Sequence, residues 1–105
     1  MTLSEKTALI QKALDDCKAE EIAAYDVAEK SSITDAVVIA TANSAPHLRA
    51  LMVAVERAMA EQAGEHARVS GTPETAWIVL DYFDVMVHLF LSDARKYYNI
   101  EALWK

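Results

Sequence analysis

Residues 77–91, which read WIVLDYFDVMVHLFL, constrain the fold more than any other stretch. They form the most β-prone run in the chain, interrupted once by Asp81-Tyr82-Phe83-Asp84. Two apolar segments around a short polar-flanked break predict a β-hairpin. With Tyr82 and Phe83 alone as the turn, Asp81 faces Asp84, Val79 faces Met86 and Trp77 faces His88. Successive side chains of a strand point to opposite faces. Ile78, Leu80, Val85, Val87 and Leu89 then make an all-apolar core face. Trp77, Val79, Asp81, Asp84, Met86, His88 and Phe90 make a mixed face carrying two acids near its tip. Carboxylates directly opposite each other oppose hairpin formation. A local conflict of this kind marks where function is to be sought.

The elements before the hairpin follow from caps and periodicity. Thr2-Leu3-Ser4-Glu5 has the capping-box pattern, and Leu3, Thr7, Ile10, Leu14 and Cys17 mark one helical stripe. Cys17 reads as a small buried hydrophobe. Residues 22–27 form a weak strand. Residues 36–41, an unbroken apolar run, read as a strand buried on both faces. Ser44 suits an N-cap, Pro46 fits the first turn, and Leu48, Leu51, Met52, Val55 and Met59 carry the stripe to a C-cap at Gly64. The stretch 65–74 reads as a loop with a short strand at 68–70. Ser92-Asp93 opens a last short helix that gives way at Asn99, and Leu103 and Trp104 predict a tail that docks.

The expected order is therefore α-β-β-α-(β)-β-β-α in a single domain spanning residues 1–105. The fold class is α/β with α+β character: a mixed four- to five-stranded sheet with helices on its faces. The strand–helix–strand passage across 44–64 implies a parallel crossover, and the hairpin is antiparallel.

Composition narrows the function. The 105 residues are 53% hydrophobic, enough for a core without staples, and the one cysteine excludes an internal disulfide. No apolar run is long enough to span a bilayer and no signal-peptide pattern opens the chain, so a cytoplasmic location without membrane contact is expected. Sixteen acids against ten bases give a net charge of −6. Phosphate backbones repel such a chain, which disfavours nucleic acid as the main partner, whereas a basic protein is attracted.

Candidate chemistry is sparse. Asp81, Asp84 and His88 invite a metal reading, yet residues 84 to 88 along a strand span about 13 Å, too far for one site. Asp81 and Asp84 alone could hold magnesium, and the helix start at Ser44 could meet a phosphate. That sketches a small nucleotidyltransferase-like enzyme, but Asn43-Ser44-Ala45 lacks the glycine that lets phosphate approach the backbone. His47 and His88 have no serine or cysteine at a nucleophile's spacing. His47 reads as exposed, His88 as stacked on Trp77, the Met52/Met59 stripe as core, and Arg95-Lys96 as a solvated helix face. No cofactor or metal is expected. Trp77 beside two acids has the composition of an interface hot spot.

Three ordered segments carry a resemblance: KSSITDAVVIATANS at 30–44, WIVLDYFDVMVHLF at 77–90 and RKYYNIEALW at 95–104. The chain resembles the Iojap-like ribosomal silencing factor family along essentially its full length. One departure is Phe83, where the family usually has glycine between the hairpin's acids. An aromatic tolerates positive φ poorly, which points to a turn wider than two residues. The resemblance implies a non-enzymatic translational repressor with a nucleotidyltransferase-like fold. It would bind the fourteenth ribosomal protein of the large subunit and block joining of the small subunit during starvation or stationary phase. On that reading Trp77 and Tyr82 are apolar anchors, Asp81 and Asp84 meet basic side chains, and Arg95 and Tyr98 support them. A dimeric module docking through the hairpin's mixed face is a third reading, and homodimer formation when free is compatible with the repressor.

Overall fold

Strand β2 (Ala36–Ala42) is buried along its whole length, as its unbroken apolar run predicts. In the computed structural model, which describes residues 1–104, it lies inside a five-stranded sheet. The other strands are β1 (Glu20–Asp26), β3 (Arg68–Ser70), β4 (Trp77–Asp81) and β5 (Val85–Leu91), in the spatial order β1-β2-β5-β4-β3. The pair β2–β5 is parallel and the remaining pairs are antiparallel. This is the mixed sheet and the element order expected from the sequence.

Two helices cover one face. Helix α1 (Leu3–Asp16) opens with the expected reciprocal cap: the Thr2 hydroxyl accepts from the Glu5 amide at 3.1 Å, and the Thr2 amide donates to Glu5 Oε1 at 2.9 Å. Helix α2 (Ala45–Ala63) runs from Ser44 to Gly64, which takes the left-handed C-cap conformation at φ +66°. Ile10, Leu14, Leu48, Leu51, Val55 and Met59 bury against Val38, Ala40, Ile78, Leu80, Val85, Val87 and Leu89. A fully buried aliphatic side chain contributes roughly 2 kcal/mol. This layer therefore outweighs the four-residue cluster on the opposite face, where Val27, Val37, Ile39 and Phe90 are covered by Ala94, Ile100 and Trp104. The covering residues come from the short helix α3 (Ser92–Tyr98) and the tail, which does dock.

Three expectations need correction. The hairpin register is displaced by two: Trp77 pairs with Phe90, Val79 with His88 and Asp81 with Met86. The Tyr82 amide donates to the Val85 carbonyl at 2.9 Å, so Phe83 and Asp84 form the tip, and Phe83 takes φ +78°, the conformation an aromatic was expected to avoid. A displacement of two preserves the parity of the strand residues, so the core face is unchanged, while Asp84, expected on the mixed face, turns toward Lys6 of α1 instead. His47 is not a bystander: its Nδ1 accepts from the Asn43 amide at 3.1 Å, which leaves Nε2 as the donor to the Cys17 carbonyl at 2.8 Å. Arg95 is not on a solvated face. Only 9% exposed, it donates from Nε to Glu101 at 2.7 Å, and from one terminal nitrogen to the Glu21 carbonyl at 2.6 Å and the Thr41 hydroxyl at 2.8 Å. Glu21 lies at the β1 bulge with φ +48°, so the guanidinium satisfies a carbonyl turned out of the ladder there.

Candidate protein-binding face

Strand pairing fixes the rows of side chains on the face away from α1 and α2. One row runs Tyr25, Val37, Met86, Asp81, Arg68; the next Ala23, Ile39, His88, Val79, Ser70; the third Thr41, Phe90, Trp77. The tail and α3 cover the β1–β2 half of these rows. Trp77, Val79, Asp81, Met86 and His88 on the β5–β4 half stay half-buried. A shallow hollow of about 350 Å³, lined by Ser70, Gly71, Thr75, Trp77, Val79 and Tyr98, borders them.

Trp77 is held rigidly. Its ring stacks on Phe90 with centroids 5.0 Å apart and meets Tyr98 at 4.6 Å, and its indole N–H donates to His88 Nδ1 at 3.1 Å. Aromatic contacts of this kind add about 0.5–1.5 kcal/mol beyond burial. Burial pushes the His88 imidazole down to about 4, so near neutrality it is the uncharged acceptor that the indole requires. Gly71 contributes by what it lacks. It sits at φ +84°, and a Cβ there would collide with the Trp77 carbonyl oxygen.

The six residues expected to bind are not gathered in one place. Trp77, Asp81 and Tyr98 border the open face, and Tyr98 is 48% exposed. Tyr82 is drawn under the helices at 5% exposure, because its position in the alternation continues Ile78 and Leu80. Burial, with Glu56 and Glu65 near, pushes its phenol up to about 12. Asp84 likewise turns toward the helix layer, where Lys6 Nζ bonds it at 2.9 Å and Glu65 at 2.5 Å. Asp81 instead accepts from the Phe83 amide at 2.8 Å. The two acids thus serve different neighbours and do not face each other, which removes the paired-carboxylate basis of the enzyme reading. Among the described residues, no cluster of three or more His, Cys, Asp or Glu could hold a metal ion. Nor is any described helix long and apolar enough to cross a membrane. Val79 and Met86 are open-face residues that the sequence reading placed correctly in the alternation but did not single out.

Comparison with known proteins supplies the remaining constraint. The family model described as ribosomal silencing factor during starvation matches residues 1–105. A ribosomal silencing factor from Halalkalibacterium halodurans is 36% identical over 104 residues, covering 99% of this chain and 89% of that protein. A crystal structure of a Chromobacterium violaceum protein superposes with a TM-score of 0.93 at 32% identity, covering 99% of this chain and 87% of the other. The mouse protein named mitochondrial assembly of ribosomal large subunit protein 1 is 26% identical over 89 residues, covering 82% of this chain and 39% of its own length.

Proposed function

Because the chain belongs to the family of ribosomal silencing factors during starvation, we propose that it represses translation by occupying the large ribosomal subunit and sterically blocking the small one. The contact on that subunit is its fourteenth ribosomal protein, and the mechanism needs no catalysis. The observation that carries this reading is the half-open sheet face: Trp77, Val79 and Met86 offer apolar area, with Asp81 among them and Tyr98 alongside. An aromatic anchor framed by polar groups is the usual composition of an interface centre. The net charge of −6 favours encounter with basic ribosomal proteins. A relative named for assembly of the large subunit supports the choice of subunit. Tyr82, Asp84 and Arg95 act behind the face, holding the hairpin and the tail that frame it. Self-association of free protein through the same open strands is compatible with this role.

The test is co-sedimentation with separated ribosomal subunits. Wild-type protein should travel with large subunits only, and Val79→Lys, which sets a positive charge in the middle of the face, should lose at least tenfold in affinity. Equal binding by Val79→Lys would remove this face from the contact.

A further inference from the structure

Phe83 stands at the hairpin tip with its backbone at φ +78° and its side chain 85% exposed. Both properties run against an aromatic residue. The left-handed region crowds Cβ against the backbone, so glycine or asparagine usually fills it. Full exposure leaves the ring without packing partners. Yet the turn is tightly held. Asp81 Oδ1 accepts from the Phe83 amide at 2.8 Å, the Asp84 amide donates to the Tyr82 carbonyl at 3.0 Å, and the Asp84 carbonyl accepts from the amides of Asp35 and Ala36 at 3.0 and 3.1 Å. None of these bonds uses the phenyl ring. The surroundings therefore impose a strained backbone whose side chain contributes nothing to the fold, a combination that points to function.

A second exposed apolar residue lies nearby. Ile33 is 73% exposed, in the loop that docks on the turn through Asp35. Two residues of chain and that one hydrogen bond keep Ile33 and Phe83 within about 15 Å of each other along the backbone. The carboxylates of Asp35 and Asp81 flank the pair in sequence. The tip also ends the two strands that carry Trp77, Val79 and Met86, so it continues the open face around the end of the sheet.

We propose that Phe83, together with Ile33 on the loop that docks on its turn, is an anchor that enters an apolar pocket rimmed by basic groups on a protein of the large ribosomal subunit. The inference rests on the repressor reading above and adds a contact outside the sheet face. Phe83→Gly and Phe83→Asn both relieve the backbone strain while deleting the ring. Each should raise the thermal midpoint, by about 4 °C, and weaken co-sedimentation with purified large subunits at least tenfold.

Stability and binding moving in opposite directions is the signature of a side chain kept for a partner. Wild-type protein that binds while both variants bind equally well would overturn the anchor and leave the repressor reading intact. Loss of binding in Phe83→Gly but not in Phe83→Asn would assign the effect to turn rigidity and also overturn it. Failure of wild-type protein to bind large subunits would overturn both. Were a second copy of the chain the occupant, both variants would abolish self-association in equilibrium sedimentation and leave subunit binding unchanged, again contradicting the proposal.

Discussion

The indole N–H of Trp77 donates to Nδ1 of His88 across 3.1 Å, and so requires that nitrogen to be unprotonated. Burial enforces the same state, with the His88 pKa brought down to about 4 from 6.5. The unfolded chain then binds the extra proton more readily than the folded one. Stability is fully present above about pH 6.5 and falls as pH drops toward 4, by up to about 3 kcal/mol. Urea titrations at pH 7 and pH 4.5 should show this slope. His88→Gln, which can accept the indole proton but cannot titrate, should flatten it.

Lys6 joins α1 to both Asp84 at the hairpin and Glu65 beyond α2. Its side chain is 14% exposed, so the pairing is shielded relative to a surface ion pair. Lys6→Met should leave two carboxylates close together and cost roughly 1–3 kcal/mol. Adding Asp84→Asn should recover part of that loss, as measured by chemical denaturation. Asp84→Lys should damage the fold itself, since it would place two ammonium groups together.

Arg95 bridges three segments with one planar group. Lysine cannot reproduce its fork of donors. Arg95→Lys should therefore cost roughly 2–3 kcal/mol, seen as a thermal midpoint about 10 °C or more lower. Unchanged stability would mean that the Glu21, Thr41 and Glu101 contacts are dispensable.

Two glycines separate backbone strain from collision. Both have positive φ, but only at Gly71 would a Cβ meet other atoms, those of Trp77 and Ile78. Gly64→Ala should cost about 1 kcal/mol from conformation alone. Gly71→Ala should cost clearly more and shift the tryptophan fluorescence, because the β3–β4 connection and Trp77 must move. Equal losses would show that the connection yields easily.

The helix caps, the buried run of β2 and the core face of the hairpin were all legible in the sequence, because each is written in local residue order. The hairpin register was not. Its turn type depends on a positive φ at Phe83 that propensity disfavours, and the error of two residues was silent within the strands because it kept their side chains on the same faces, Asp84 in the turn being the exception. Arg95 and His47 were misread for a different reason. Their partners Glu21, Thr41 and Cys17 lie 30 to 74 residues away in sequence. Neither spacing nor composition signals such a meeting. Of the candidate face, Trp77 and Asp81 could be read from alternation, whereas the inward turn of Tyr82 and Asp84 followed from where the turn began.

The tail that lies over Val37, Ile39 and Phe90 decides how much greasy surface the molecule shows. A version shortened before Ile100 would lose Trp104 and Ile100 together and lay bare the far half of the sheet beside the half already open. Its first symptom should be clumping and loss of solubility, so the closing residues act as a lining that keeps the open apolar area narrow.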